Sequence, residues 1–497
     1  MSSYGPYPVL TAEEVVAKIK DGSTVAFSGF SPAGGAKAVP KALAQWAARE
    51  HAQGLPFRVR VLTGASAGAH IDEDLARAGA VSWRAPYQQG PTLRKQINRE
   101  EVEYVDMHLS HLPQTVAFGF FGPIDLAVVE ATEITPDGRV YLSTSIGASP
   151  TFLQYADRVV IEINRYHSPR LREMHDIILM PPPPHRTPIQ VYEPLTRIGW
   201  PYAVVDPKKV LAVVETNEAD SVAEFASPDE TSQRIAQHIV SFLVNEKKSG
   251  RIPEEFLPLQ AGVGNVANGV LASLGAHPDI PPFWMYSEVF QDSMAAVMLQ
   301  GRLLGASATS LTVTPAVLES MVRNIDFFNQ RIVLRPQEIS NHPGVIRRLG
   351  VIGLNTALEF DIYGNVNSSH VYGMDVVNGI GGSGEFTRNT YLSFFMAPSV
   401  AKGGRISAVV PMTPHVDNSE HSVQIVVTEQ GLADLRGVGP SHRAQLIIEK
   451  CAHPLYRDTL QRYVREARGG HIRHDLTKCF ELHRNLLETG SMLPGIV

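Results

Sequence analysis

Two stretches of this sequence, one in each half, follow the same local order of an apolar run, a glycine-rich turn and a helical pattern. Short apolar runs alternating with amphipathic helices predict an α/β protein with largely parallel sheets. A glycine turn that opens a helix also exposes backbone amides that can bind phosphates or oxyanions. The two stretches are Thr24–Phe27, Gly29–Gly35 and Val39–Ala48 in the first half, and Leu257–Ala261, Gly262–Gly264 and Asn265–Leu274 in the second.

A second parallel between the halves indicates an internal duplication. Four residues recur at one common offset of 226 positions, namely Gly138 and Gly364, Val140 and Val366, Ser143 and Ser369, and Gly147 and Gly373. A chain of 497 residues is long enough for two large domains. A capping pattern with proline at its second position, 227–230, predicts a helix near the middle of the chain. We therefore expect an N-terminal α/β domain over residues 1–225 and a similar one over 226–497.

Charge and composition exclude several classes of partner. The chain has 44 basic and 50 acidic residues and no basic cluster, so neither nucleic acid nor an anionic membrane is expected to bind it. Its most apolar stretch, Val116–Val129, is interrupted by Pro123 and Asp125 and is too short to cross a bilayer. The two cysteines, Cys451 and Cys479, favour a reducing, cytoplasmic compartment. A small molecule is the expected partner.

Two familiar motifs are present but incomplete. Residues 64–68 match the G-x-S-x-G turn of serine hydrolases, but that turn normally follows several strands, and small residues at a strand end often give this pattern by chance. Close packing of small residues is therefore the preferred interpretation. Residues 379–384 and 262–267 match dinucleotide-binding glycine patterns. The first has no acid about 20 residues further on, and the acids after the second surround a proline-rich stretch. Both loops still allow a ligand to approach the backbone closely.

Histidine pairs do not predict a metal site. The pairs His108 with His111, His471 with His474 and His415 with His421 lack the spacing of zinc enzymes and an evident third ligand. We therefore expect no metal.

One carboxylate stands out from its surroundings. Glu288 lies in the aromatic and apolar run Trp284–Gln291, and a continuous strand there would place it on one face with Tyr286 and Phe290. Such a residue is ordinarily a turn or capping residue. A poorly solvated carboxylate is also what nucleophilic carboxylate catalysis requires, because desolvation raises its reactivity.

At Glu288 and at several other segments, the chain resembles the class I CoA-transferases. The resemblance is to the acetyl-CoA hydrolase/transferase branch, which includes succinyl-CoA:acetate and propionyl-CoA:succinate CoA-transferases. The matching segments occur in order over nearly the whole chain, which makes the resemblance specific. They are Ser28–Phe30, Lys37–Pro40, Gly262–Ala267, Ser287–Val289, Gly381–Phe386 and Val427–Gly437.

The resemblance implies two similar open α/β domains, the second of which, 226–497, carries the catalytic glutamate and the CoA-binding loops. It implies that Glu288 attacks an acyl-CoA thioester and then carries CoA as a glutamyl-CoA thioester. It also assigns positioning of the carboxylate or acyl carbonyl to Asn341 and a supporting role to Glu429. From the residues alone, Glu429 is also interpreted as a salt-bridge partner of Arg436, and the stretch 427–437 predicts a strand, a tight turn and a helix start. The expected CoA-binding residues are Gly262, Val263, Gly264, Asn265, Val266, Ala267, Asn378, Gly382 and Lys402, with the glycine loops contributing to an oxyanion hole.

The predicted function is therefore CoA transfer between short-chain acids such as acetate, propionate and succinate, with coenzyme A thioesters as substrates. An acyl-CoA hydrolase using the same glutamate is the first alternative, since the two differ in whether water reaches the intermediates. A CoA-binding protein without catalysis is the second, and the carboxylate of Glu288 argues against it. The resemblance also implies a homodimer. Where related enzymes often carry an arginine, this chain has Ser221, which leaves the acid substrate open.

Overall fold

A computed structural model describes residues 4–224, 229–262 and 264–494. The helices are α1 (Ala12–Val16), α2 (Ala38–Ala52), α3 (Leu75–Arg77), α4 (Pro91–Asn98), α5 (His111–Ala117), α6 (Ser149–Tyr155), α7 (Glu230–Lys248), α8 (Asn265–Ala276), α9 (Asp292–Leu299), α10 (Pro315–Arg323), α11 (Ile325–Asn329), α12 (Gln337–Ser340), α13 (Pro343–Leu349), α14 (Ser383–Asn389), α15 (Pro440–Lys450), α16 (Pro454–Glu466) and α17 (Glu481–Thr489).

The strands alternate with these helices along the chain. They are β1 (Thr24–Phe27), β2 (Val59–Leu62), β3 (Val81–Ala85), β4 (Glu103–Tyr104), β5 (Ile124–Ile134), β6 (Arg139–Leu142), β7 (Ala156–Asn164), β8 (Ala203–Val204), β9 (Val210–Thr216), β10 (Leu259–Ala261), β11 (Phe283–Tyr286), β12 (Val289–Gln291), β13 (Leu303–Ala308), β14 (Ser310–Thr312), β15 (Ile332–Leu334), β16 (Ile352–Thr356), β17 (Glu359–Asp361), β18 (Val366–Asn367), β19 (His370–Val371), β20 (Asp375–Val376), β21 (Leu392–Met396), β22 (Val400–Ala401), β23 (Ile406–Ser407), β24 (Val409–Val410), β25 (Ile425–Thr428) and β26 (Gly431–Asp434).

The chain divides into two compact units. Unit 1 comprises Met1–Glu224, Met285–Met298 and Leu304–Val345, and unit 2 comprises Phe225–Trp284, Leu299–Leu303 and Ile346–Val497. The first change of unit falls one residue from the predicted boundary, but Glu288 belongs to unit 1 by its contacts. The two units are defined by their contacts and do not test whether the chain arose by duplication. The duplicated domains 1–225 and 226–497 therefore stay a prediction.

Unit 1 contains a predominantly parallel sheet in the order β4-β3-β2-β1-β5-β7-β9. Two antiparallel strands, β6 and β8, extend from β5 on a second branch. The register sets Val25 between Val61 and Leu126. These strands are buried along nearly their whole length, as expected for a sheet covered on both faces, and α2 packs its apolar stripe against the same core.

Unit 2 contains a parallel sheet in the order β10-β16-β21-β25, to which β26 adds one antiparallel strand. The predicted strand–turn–helix order at 257–274 is confirmed, with β10 ending at Ala261 and α8 beginning at Asn265. The mid-chain helix α7 begins at Glu230 with Asp229 as its N-cap, whose carboxylate accepts the Ser232 N–H at 2.8 Å. The predicted start at Pro228 is therefore too early, and 227–228 lie outside the described residues. No helix in the described ranges is long and apolar enough to span a bilayer.

The four residue pairs at offset 226 are alike either in the sign of φ or in burial. Gly138 and Gly364 both have positive φ, at 85° and 96°, and both open a short antiparallel strand. Val140 and Val366 are fully buried in those strands, and the serines three residues later are buried too. Gly147 and Gly373 again have positive φ, at 50° and 70°. The glycine pairs therefore share positive φ and the valine and serine pairs share burial, and the duplication stays a prediction.

A buried ionic cluster joins the start of α2 to later segments of unit 1. The Lys37 ammonium donates to Asp220 at 3.0 Å, to Glu130, and to the Gly35 carbonyl at 2.8 Å. His167 lies 3.4 Å from Glu130, and although burial alone would lower its pKa, Asp220 and Glu130 raise the pKa of His167 to about 9. Two cations therefore balance two carboxylates inside the core.

Replacing Lys37 with methionine is expected to lower the free energy of unfolding by about 3–5 kcal/mol, because it leaves two buried carboxylates with one histidine. Lys41→Met provides the matched control, since Lys41 pairs with Glu218 while both side chains remain more than one third exposed. That variant should change stability by about 1 kcal/mol or less. Urea unfolding followed by circular dichroism measures both. Equal losses in the two variants would contradict a structural role for the buried cluster.

Candidate active site

Glu288 lies in a bend that interrupts the predicted strand. β11 ends at Tyr286 and β12 begins at Val289, so the continuous strand through residue 288 does not form. The bend is fixed by the backbone, because the Ser287 N–H donates to the Ser307 carbonyl at 2.9 Å and the Thr309 N–H to the Glu288 carbonyl at 2.7 Å. These two bonds fix the backbone of Glu288, although the residue itself belongs to neither strand.

Asn341 contacts this carboxylate directly. Its Nδ2 donates to Glu288 Oε1 at 2.6 Å, and its Oδ1 accepts a hydrogen bond from Ser340 Oγ at 2.8 Å. The second bond fixes which end of the amide faces the carboxylate. Asn341 is fully buried at the end of α12, and the structure thus brings together two predicted site residues that are 53 positions apart.

The surroundings of Glu288 disfavour its charged form. Burial raises the pKa of Glu288 to about 7, and the hydrogen bond from Asn341 offsets only part of this effect. Its neighbour Val289 belongs to an apolar cluster with Phe30, Ala65 and Leu109. Within the described ranges, no lysine, arginine or histidine forms an ion pair with Glu288. The carboxyl group is therefore about half ionised near neutral pH.

Glu429 belongs to unit 2 and is held differently. It lies in the turn between β25 and β26, so the helix start expected after this turn is wrong and a hairpin forms instead. Ser399 donates to its carboxylate twice, from Oγ and from the backbone N–H at 2.8 Å. Burial alone would raise the pKa of Glu429, but these hydrogen bonds lower it. The alternative partner Arg436 pairs with Glu246 and Asp434, not with Glu429.

The predicted CoA loop at 262–267 leads into α8. Gly264 has φ 134° and is the N-cap. Apart from its two chain neighbours, no described residue has an atom within 4 Å of where the Cβ of this residue would be, so the space beside it is open among the described residues. Val263 lies outside the described residues. Ala267 is buried and Val266 half-buried, whereas the Asn265 side chain is exposed. The Gly262 N–H donates to the Leu354 carbonyl at 3.0 Å as part of the sheet.

The other predicted CoA-binding residues lie on separate segments of unit 2. Gly382 caps α14, which follows Gly381 at φ 57°. The Asn378 Oδ1 accepts the Gly379 N–H at 2.8 Å and so shapes the start of that glycine loop. Lys402 is exposed, with φ 47°, at the start of a short 3₁₀ turn. An exposed lysine is able to approach a phosphate, whereas Asn378 is already engaged with its own loop.

The serine-hydrolase motif has a packing role, as preferred from the sequence. The Ser66 hydroxyl is buried and donates to Gln89 Oε1 at 3.3 Å rather than to a histidine. A Cβ on Gly29 would lie 2.9 Å from the Gly35 backbone and 3.0 Å from Ala67 Cβ. The small residues of this region are therefore required by close approach of three chain segments.

Sequence reasoning missed two polar clusters. One is the Lys37, Glu130, His167 and Asp220 cluster described above, and the other comprises His370, His415 and Asp417. The members of the first cluster are far apart in sequence, and in the second only His415 and Asp417 are close together, so local spacing signals neither full set. The 226-residue offset, which includes Ser369 beside His370, is the nearest sequence signal to the second cluster.

Comparison with known proteins now identifies the family. The family model for the acetyl-CoA hydrolase/transferase N-terminal domain matches residues 1–215, and that for the C-terminal domain matches residues 318–464. The chain belongs to the acetyl-CoA hydrolase/transferase family. The resemblance stated from the motifs is confirmed.

Relatives cover nearly the whole chain. This chain is 55% identical to propanoyl-CoA:succinate CoA transferase of Escherichia coli, and the match covers 97% of this chain and 98% of the relative. It is 44% identical to succinyl-CoA:acetate CoA-transferase of Clostridium kluyveri, covering 97% and 90%. It is 42% identical to acetyl-CoA hydrolase of Schizosaccharomyces pombe, covering 96% and 95%.

A solved structure confirms the fold class. The crystal structure of RipA from Yersinia pestis matches with a TM-score of 0.69 at 22% identity, covering 92% of this chain and 96% of that protein. At this identity the match concerns the fold alone. The predicted α/β fold with open sheets is therefore confirmed.

Removing the Asn341 amide is expected to raise the pKa of Glu288 above 7, because the variant loses a hydrogen bond that favours the carboxylate form. Infrared difference spectra between the wild type and Glu288→Gln isolate the carboxyl band of Glu288, and its pH titration gives the pKa. In the Asn341→Ala background, the same titration of the Glu288 carboxyl band should have its midpoint at a higher pH than in the wild type.

Asn324→Ala is a suitable control, since the Asn324 amide caps the Ser320 carbonyl at 3.0 Å at an exposed helix end. It should leave the titration of Glu288 unchanged. A wild-type titration near the ordinary value of about 4.3 would show that burial does not control this carboxyl group.

Proposed function

We propose that this protein is an acyl-CoA:carboxylate CoA-transferase in which Glu288 is the covalent nucleophile. The observation that carries the proposal is a desolvated glutamate, of pKa about 7, oriented by a single buried amide donor. Family membership and the two transferase relatives support the reaction class. Substrates would be thioesters and free acids of the acetyl, propionyl and succinyl type.

The first half-reaction forms a glutamyl-CoA thioester in two steps. The Glu288 carboxylate attacks the thioester carbonyl of acyl-CoA, and the C–S bond breaks to give an acyl-glutamyl anhydride and the CoA thiolate. The thiolate then attacks the glutamyl carbonyl of the anhydride, and the original acid leaves as its carboxylate. Each step exchanges one activated acyl bond for another of similar energy.

The second half-reaction runs the same steps backward with a different acid. The acceptor carboxylate attacks the glutamyl thioester, which releases CoA thiolate and forms a new anhydride. Attack of the thiolate on the acceptor's acyl carbonyl then gives the new acyl-CoA and regenerates the Glu288 carboxylate. Asn341 would hold Oε1 through both halves, so that the other oxygen, Oε2, is presented to the substrate.

We further propose roles for the residues of unit 2. The loop Gly262–Ala267, with Asn378, Gly382 and Lys402, would bind coenzyme A, and Lys402 would pair with its phosphates. Glu429, kept ionised by Ser399, would act as a supporting acid residue. These assignments rest on the resemblance of each position to the family motif. No metal or further cofactor takes part in this proposal, and a cytoplasmic homodimer is the predicted form of the enzyme.

The experiment that tests the proposal follows the covalent intermediate. Full-length protein is mixed with acetyl-CoA and examined by intact-protein mass spectrometry, then treated with borohydride and mapped by peptide analysis. We expect a CoA adduct in the absence of acceptor acid, and reduction of one glutamate, at Glu288. Glu288→Gln should form no adduct and should lower CoA transfer on the order of 10³-fold or more, because the nucleophile is gone.

Glu319→Gln makes the same change of charge at an exposed helical site, where Glu319 pairs with Arg323 at 2.7 Å. It should keep both the adduct and the activity. Steady release of free CoA without any acceptor acid and without an adduct would instead favour a hydrolase, the activity named for the Schizosaccharomyces pombe relative. An adduct mapped to another residue would overturn the assignment of Glu288.

A further inference from the structure

The second polar cluster, formed by His370, His415 and Asp417, lies in unit 2 and takes no part in the proposed reaction. One potential ligand atom from each residue lies within 4.8 Å of the other two. His370 begins β19, and the other two residues follow β24 on the connection to β25. All three are half-buried, so the cluster borders on solvent.

The donor spacing suits a metal ion. His415 Nε2 and Asp417 Oδ1 are 3.1 Å apart, which is close to the separation of two neighbouring ligands around an ion at about 2.0–2.2 Å from each. The two imidazole rings are tilted by 37° with centroids 3.9 Å apart. One donor nitrogen of His370 lies within 4.8 Å of the donor atoms of the other two residues.

Hydrogen bonds already select the forms of these ligands that metals require. Ser369 Oγ lies 2.7 Å from His370 Nδ1, so it can accept the Nδ1 proton and leave the lone pair of Nε2 available. Asp417 receives the Ser368 N–H at 2.6 Å, which orients its carboxylate.

The backbone holds the two segments firmly together. The Asp417 N–H donates to the Val366 carbonyl at 2.9 Å, and the Val366 N–H donates to Asn418 at 2.8 Å. Gly373, at the turn after β19, packs so closely on Pro414 that a Cβ there would lie 2.6 Å from the Pro414 side chain. The three donors are therefore placed before any ligand binds, which reduces the ordering cost of binding.

The buried cluster in unit 1 has similar residues but a different balance of charge. Its carboxylates, Glu130 and Asp220, both contact the Lys37 ammonium, and His167 is held in its protonated form. That cluster already contains its cations. The His370 cluster has one carboxylate, and among the described residues no lysine or arginine forms an ion pair with it.

We propose that His370, His415 and Asp417 bind one divalent transition-metal ion of the Zn²⁺ type, with at least one coordination position open to solvent. Two imidazoles and one carboxylate are typical ligands for Zn²⁺ and Co²⁺. The ion would fasten β19 to the segment after β24. The site is independent of the proposed reaction at Glu288.

Zinc binding by untagged, chelator-treated full-length protein tests the proposal. Isothermal titration with ZnCl₂ should give one site per chain, and Co²⁺ should give visible d–d absorption from bound imidazole nitrogen. His370→Asn and His415→Asn should each weaken Zn²⁺ binding at least tenfold, since each removes one ligand. Zn²⁺ should also raise the melting temperature of the wild type but not of the two variants.

His421→Asn is the matched control, because His421 lies on the same connection and contacts Ser419 at 3.4 Å. It should bind Zn²⁺ like the wild type. The His415 side chain is 35% exposed, so His415→Asn should fold, and circular dichroism without metal checks this. Absence of Zn²⁺ binding by the wild type, or equal affinity in all variants, would overturn the proposal.

Discussion

Thr309 is the point on which the geometry of the candidate site depends. Its N–H donates to the Glu288 carbonyl at 2.7 Å, and its hydroxyl donates to the Arg335 carbonyl at 2.7 Å. The same hydroxyl accepts the Gly147 N–H at 3.0 Å, and the Thr309 carbonyl accepts the Ile146 N–H. Thr309 is fully buried, so each of these bonds is protected from competition with water. The bend that carries Glu288 and the strand end that leads to α12 and Asn341 thus share one anchor.

The carboxylates inside this protein differ in what surrounds them, and the difference separates structural from chemical roles. Glu162 accepts the backbone N–H groups of residues 37–39 and so caps α2 from a neighbouring strand. Glu130 is paired with a lysine, and Glu429 has two donors from Ser399. Glu288 has the one donor from Asn341 among the described residues. A carboxylate with many donors is stabilised in its ground state, whereas one with few keeps a lone pair available for attack.

Local helices and strands could be predicted from the sequence, whereas most contacts between distant residues could not. Apolar runs predicted β1 correctly, and the helical spacing after Gly35 and Gly264 predicted α2 and α8, because these signals are local. The bend at Glu288 was not predicted, since it is fixed by backbone hydrogen bonds with residues later in the chain. Ser307, on β13, accepts the Ser287 N–H, and Thr309, just after β13, donates to the Glu288 carbonyl. Glu288 was singled out by its apolar surroundings and Asn341 by the family resemblance, and their contact became visible only in three dimensions. The hairpin at Glu429 was missed because a strand start and a helix start look alike over four residues.

The glycine loop at 262–267 shows why a motif does not by itself assign an oxyanion donor. The amide of Gly262 is already bonded to the Leu354 carbonyl and cannot also serve a substrate without breaking the sheet. The first intrahelical bond of α8 runs from the Asn268 N–H to the Gly264 carbonyl. The amides of residues 265–267 precede that bond and have no intrahelical acceptor. If this loop stabilises a developing oxyanion, the donors are therefore expected at Gly264 or in the first turn of α8, where open space beside Gly264 admits the ligand.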